Sequence, residues 1–397
     1  MIDLKAARSD ADRWRAALAR KGAAEDFDRL LEADERWRSL IPRVDELRGK
    51  TKLKGKPSPE ELEALKPVKA ELKEAEETLA EAEAERNASL ALVPNPPHDS
   101  APDGETEEDA VEVRRWGEPP ALEAPREHTE IGRFDMERAA RISGARFGYV
   151  IGDSTRVAMA LYQFALGHLV EAGFTPVLPP VLVREEAMYG TGFFPTDRSN
   201  IYELEADGLY LTGTSEVALA SLHMGEILEE LPLRYTAFSP CFRREAGAAG
   251  KDTRGMFRVH QFNKVEMFVF VEPDTSLDEH ERMLDLEERF LQALGLPYRV
   301  MNVAAGDLGA SAAKKYDCEA WFPFQERYRE VTSCSNTTDY QSRRLGIRYR
   351  AEHGLENPHT LNGTMVTDRA LLAILENFQG GVPDVLTRYG APAEIRS

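Results

Sequence analysis

Between residues 27 and 92, apolar side chains return every seven positions in interleaved series. Leu30, Trp37 and Val44 alternate with Ala33, Leu40 and Leu47, and Val68, Ala75 and Ala82 alternate with Leu65, Leu72 and Leu79. Charged residues fill the places between. An a/d heptad on two successive segments predicts two long helices that share a buried seam. Lys54-Gly55-Lys56-Pro57 separates them, and Ser58 then opens a capping box with Glu61, with Pro59 at the first helical position. Pro94 stops the second helix. The simplest product is an antiparallel hairpin whose second helix spans roughly 50 Å at 1.5 Å per residue. Pro42 and Pro67 interrupt the two helices. About a turn at Lys54–Gly55, facing residues carry numbers that sum to 109, as these two do. Both kinks are therefore predicted to sit at one level and bend the hairpin together.

A short helix is expected at 4–22. A Pro-, Asp- and Glu-rich stretch follows the hairpin, so the chain divides into a helical arm over 1–100, a linker over 101–130 and a larger unit over 131–397. In that unit, strand-like runs alternate with a few helices, one of them amphipathic over 155–172 and leading into a run that ends at Pro180. The fold class is α+β, an antiparallel sheet with helices behind a long helical hairpin.

Composition narrows the function. The chain has 397 residues, 42% of them hydrophobic, and a net charge of -19, which suits two or three domains with sizeable cores. So acidic a chain does not attract polyanions as a whole, and nucleic-acid contact requires a local basic patch. The hairpin tip supplies one in Arg48, Lys50, Lys52, Lys54 and Lys56. Charge runs are usually solvated surface, but five cations at the end of a lever suit a phosphate backbone and salt-sensitive binding. Cys241, Cys318 and Cys334 are far apart and suggest neither zinc nor a disulfide framework. The first residues lack a signal-peptide core, and no apolar run reaches membrane length, so a cytoplasmic location without membrane contact is expected.

The densest chemistry lies between Thr236 and Phe270. Phe242-Arg243-Arg244-Glu245 precedes a glycine- and charge-rich loop, then Arg258-Val259-His260-Gln261-Phe262 and Lys264-Val265-Glu266. Flanking apolar runs predict two antiparallel strands joined by a long polar loop. Arginine offers a fork for phosphate oxygens and an aromatic ring a face for a base. Core packing for Phe262, and an ion pair between Glu266 and Lys264, are the plainer readings of those side chains.

This run resembles motif 2 of the class II aminoacyl-tRNA synthetases, in the form found in seryl-tRNA synthetases of bacterial type, and the resemblance covers nearly the whole chain. It implies that Arg243 contacts the α-phosphate and the carboxylate being activated, that Glu245 reads the adenine amino group, and that Phe262 stacks on adenine with Arg244 and the Val259 backbone beside the nucleotide. Thr214-Ser215-Glu216 resembles the loop that holds the amino acid, with Glu266 accepting from its ammonium or hydroxyl. Glu330-Val331-Thr332-Ser333 is similar to the family's E-x-x-S, where Glu330 and Ser333 supply oxygens to Mg²⁺ and the strand faces ATP. His359 to Arg369 resembles motif 3. There Asn362 and Thr364 meet serine, Thr364 through the side-chain hydroxyl, and Arg369 meets the γ-phosphate. Arg243, Glu245 and Arg369 are thus the expected catalytic set. Asp368 is placed to pair with Arg369 and compete with phosphate.

The resemblance further implies ATP and Mg²⁺ as cofactors, L-serine and the serine tRNA as partners with selenocysteine tRNA a further candidate, and a homodimer formed through the 155–172 helix and the run to Pro180. Two other readings stay open: a paralogue that supplies an aminoacyl-adenylate or seryl-tRNA to an antibiotic or resistance pathway, and a non-catalytic RNA-binding protein.

Overall fold

The computed structural model describes residues 1–52, 58–246 and 255–396. Contacts divide the chain into two units, Met1–Pro96 and Pro97–Ser397.

In the first unit, helix α1 (Ala24–Thr51) and helix α2 (Pro59–Leu92) form the hairpin. The Ser58 hydroxyl accepts from the Glu61 amide, and the Glu61 carboxylate accepts from the Ser58 amide. Leu30, Ala33, Val44, Leu47, Leu65 and Ala82 are buried along the seam. Instead of one helix at 4–22 there are two, Leu4–Ser9 and Ala11–Ala19. Both long helices continue through their prolines. Arg36 pairs with Glu85, Arg43 with Glu71 and Arg48 with Glu76, and Arg86 lies over the Trp37 ring. Each of these pairs sums to more than 109. The helices are therefore displaced from the predicted register, and Pro42 faces a part of α2 beyond Pro67. A register counted from the turn assumes that both helices leave it at equal height, and here they do not. At the tip, Arg48 and Lys50 are paired with Glu76 and Glu46, and Lys52 is exposed. Lys54 and Lys56 lie outside the described residues.

The second unit is built on an eight-stranded sheet: β1 (Val111–Trp116), β2 (Thr175–Val177), β3 (Leu233–Phe242), β4 (Gln261–Val271), β5 (Tyr298–Asn302), β6 (Lys314–Phe322), β7 (Arg327–Asn336) and β8 (His359–Thr367), in spatial order β1-β5-β6-β7-β8-β4-β3-β2. Every pairing is antiparallel except β2 with β3. Strand β1 corrects the linker expected over 101–130, since that stretch supplies an edge of the sheet. One face, with Val265, Met267, Val269 and Val271, packs in the main core with helices α3 (Asp153–Glu171), α4 (Ser276–Ala293) and α5 (Asp368–Phe378). Strand alternation turns Phe262, Lys264 and Glu266 to the opposite face. Among the described residues, no helix is long and apolar enough to cross a membrane.

Candidate active site

That opposite face floors a cavity of about 550 Å³. Two β-bulges shape the floor. In β7, Thr332 pairs with Cys318 and Glu330 with Glu319, leaving Val331 as the extra residue. In β8, Val366 pairs with Val265 and Thr364 with Glu266, leaving Met365 extra. Residues three apart in an unbroken strand face opposite sides, and a bulge restores them to one side. Glu330 and Ser333 therefore share the cavity face, as do Thr364 and Thr367.

Part of the cavity lining is buried and polar. Lys264 forms an ion pair with Glu266, donates to Thr214 Oγ1 at 2.7 Å, and reaches Thr364 Oγ1 at 3.4 Å. Glu216 accepts from Gln341 at 2.7 Å and from Asn362 at 3.0 Å. Burial, then repulsion from Glu266, pushes the Glu216 carboxyl up to about 7. Burial also raises the Glu266 carboxyl against the pull of Lys264.

The same cavity is lined by arginines. Arg243 Nε donates to the Gly213 carbonyl at 3.3 Å, and its guanidinium lies 5.2 Å from the Phe262 ring centroid. A Cβ at Gly213 would lie 3.3 Å from the Arg243 side chain and 3.4 Å from the Phe242 carbonyl, so a larger residue there would press on the arginine. Glu245 has φ of 52°, a left-handed backbone rare outside glycine, and its carboxylate accepts from Arg258 Nη1 at 2.5 Å. Arg369 donates to the Glu330 carboxylate at 3.0 Å and to its main-chain carbonyl at 3.1 Å. It also lies 4.6 Å from the Phe257 ring centroid. Lys315 stands 2.8 Å from Asp317 and 4.0 Å from Glu330. Burial alone would raise the Glu330 carboxyl, but Lys315 and Arg369 outweigh it and hold it well below the usual range. Burial and the Glu330 charge push Asp317 up.

The cavity thus collects Thr214, Glu216, Arg243, Glu245, Val259, Phe262, Glu266, Glu330, Val331, Thr332, Ser333, Asn362, Thr364 and Arg369, which lie far apart in the sequence. Three expectations are corrected. Ser215 is buried and does not line the cavity. Arg244 does not line it either and stacks on Tyr202 at 5.7 Å. Asp368 accepts from Tyr162 and from the Asn263 amide, and Arg369 is paired with Glu330. Thr332 lines the cavity, yet its hydroxyl is spent on Glu287 on the core side. Phe257, Arg258, Lys315, Asp317 and Gln341 also stand in or beside this site with no role expected from the sequence. Only the Arg258-Phe262 run drew attention to that region, and the others carry no local signal.

Comparisons with known proteins agree with this geometry. Residues 1–97 match the seryl-tRNA synthetase N-terminal domain, and residues 201–378 match the tRNA synthetase class II core domain (G, H, P, S and T). The chain is 50% identical over 399 residues to the serine–tRNA ligase of Thermobifida fusca, covering 96% of this chain and 94% of that one. It is 47% identical over 422 residues to the serine–tRNA ligase of Streptomyces coelicolor, covering 100% and 99%. Among solved structures, the Pyrococcus horikoshii seryl-tRNA synthetase complexed with ATP superposes with a TM-score of 0.92 at 39% identity, covering 100% of this chain and 99% of the other. With both family domains in order and near half-identity over its whole length, this chain belongs to the seryl-tRNA synthetases.

Proposed function

We propose that this serine–tRNA ligase joins L-serine to ATP in the 550 Å³ cavity, releasing pyrophosphate, and passes the seryl group to the 3′ end of the serine tRNA. One observation carries the assignment of roles: the buried carboxylates Glu216 and Glu266 and the arginines Arg243 and Arg369 line the same cavity. The serine carboxylate is already a nucleophile and attacks the α-phosphorus in line, so no protein base is required. Catalysis then rests on placement and on opposing the charge that builds on the phosphoryl oxygens. Arg243 serves the α-phosphate, and Phe262 stacks on adenine. Glu245 reads the adenine amino group once it shares or releases Arg258. Arg369 serves the γ-phosphate. Glu216, Asn362, Glu266 and Thr364 hold serine.

Glu330 and Ser333 would hold Mg²⁺. The fit rests on two oxygen donors brought to one face by the bulge and on a carboxylate held ionised by its neighbours. Such a hard cation takes few protein oxygens plus substrate phosphates, and would add positive charge beside them. The arm is assigned to the tRNA backbone through Arg48, Lys50, Lys52, Lys54 and Lys56, and selenocysteine tRNA would use the same contacts. Homodimer formation through α3 and the run to Pro180 is supported by Leu178, 87% exposed, and Met159, 48% exposed. The cytoplasm supplies ATP and tRNA for this reaction.

Labelled serine, ATP–Mg²⁺ and bulk tRNA test the reading. Robust attachment of serine is expected. Serine-dependent pyrophosphate exchange without attachment would point instead to a supplier of adenylate.

The pH dependence is a further test. Burial and the neighbouring Glu266 push the Glu216 carboxyl up to about 7, and only its ionised form would pair with the serine ammonium. As pH falls below about 7, kcat/KM for serine is expected to drop about tenfold per unit, because one proton must leave before serine binds, and it should level off above. Glu216→Gln should be slow and flat across this range. An unchanged slope in that variant would remove Glu216 from the role.

A further inference from the structure

Lys264 has no assigned role, yet it touches three groups of the proposed serine pocket. Its side chain is 6% exposed and that of Glu266 is 1% exposed. An ammonium has three hydrogens and accepts none. Here they face the Glu266 carboxylate, Thr214 Oγ1 and Thr364 Oγ1. Both threonine oxygens therefore act as acceptors toward Lys264, and their own hydrogens must be donated elsewhere. Thr214 also accepts from the Glu216 amide at 3.2 Å, so both of its lone pairs are used. What the pocket still offers a ligand side chain is the Thr364 hydroxyl, with its hydrogen and one remaining lone pair, beside the Glu266 carboxylate.

We propose that Lys264 is a positioning residue that sets serine specificity by fixing the hydrogen-bond direction of Thr364 and by neutralising Glu266. The inference rests on the placement of serine at Thr364 and Glu266 proposed above. A side-chain hydroxyl both accepts and donates, and it satisfies the pair. A methyl does neither, and a thiol does both weakly. An ammonium only donates, and it would also meet the Lys264 charge. Sites built around directed hydrogen bonds reject ligands that leave them unpaired.

The wild-type enzyme gives the first test, by pyrophosphate exchange with serine, cysteine and 2,3-diaminopropionate. The β-ammonium compound is expected to be at least about a hundredfold poorer than serine in kcat/KM. Activation within tenfold of serine would overturn the proposal. The second test is Lys264→Met, with Lys264→Gln keeping an amide donor. In the methionine variant, kcat/KM for serine should fall roughly a hundredfold and the serine-to-cysteine ratio about tenfold, with KM for ATP within threefold and partial recovery in the glutamine variant. Equal losses for serine and cysteine would make Lys264 a structural residue only. Thr364→Val separates the two ideas. If it leaves the serine KM unchanged, the serine placement itself fails, whatever Lys264 does.

Discussion

Replacing Arg243 with alanine is expected to lower kcat/KM for adenylate formation on the order of a thousandfold, the range seen when a preorganised charge partner of a transferring group is removed. The guanidinium is held between the Gly213 carbonyl and the Phe262 ring, at the end of β3. It thus has a fixed aim before any ligand arrives, and the enzyme does not have to organise it during the reaction. Arg243 is solvent-exposed, so its loss should leave the melting temperature within a few degrees of wild type. Lysine is a poor substitute. It carries the charge, but its ammonium cannot form two parallel bonds to phosphoryl oxygens or stack on Phe262. Arg243→Lys is expected to recover no more than about tenfold of the loss. Serine-dependent pyrophosphate exchange measures both variants. A loss below tenfold in Arg243→Ala would place the α-phosphate elsewhere.

The helices and the motif residues were legible in the sequence because their signals are local or specific. Heptads and a capping box need only neighbouring residues, and Ser58 with Glu61 behaves as its spacing predicts. What escaped depends on partners far along the chain. Strand β1 carries no strand signal in the sequence because an edge strand carries charge where a central strand carries apolar side chains; Arg114 pairs with Glu288 across to α4. The extra residues at Val331 and Met365 exist only relative to β6 and β4. Without the first bulge, Glu330 and Ser333 would face opposite sides of the sheet, so the spacing E-x-x-S alone could not place both in the cavity. Asp368 stands next to Arg369 in sequence, but the turn into α5 directs it to Tyr162. Arg369 instead finds Glu330, 39 residues away.

Glu330→Gln tests that last contact, and its effects on binding and on turnover should diverge. In the free enzyme the Glu330 carboxylate lies 3.0 Å from Arg369 and 4.0 Å from Lys315, and these two cations keep it ionised. The glutamine variant keeps the volume and removes the charge. Arg369 and Lys315 then lose a competing anion, so affinity for ATP should hold or increase. Turnover should move the other way, because a neutral amide is a weak ligand for a hard divalent cation and the oxygen pair with Ser333 is broken. Expected is a fall in kcat on the order of a hundredfold or more, within the range for losing one preorganised electrostatic group. A higher Mg²⁺ concentration should be needed for half-maximal rate, and KM for ATP should be no higher than wild type. Glu330→Asp, which keeps the charge on a shorter arm, should recover part of the rate and most of the Mg²⁺ response. Pyrophosphate exchange across a Mg²⁺ titration decides the matter. If the glutamine variant keeps the wild-type Mg²⁺ requirement, Glu330 serves only to hold Arg369 and the metal assignment is wrong.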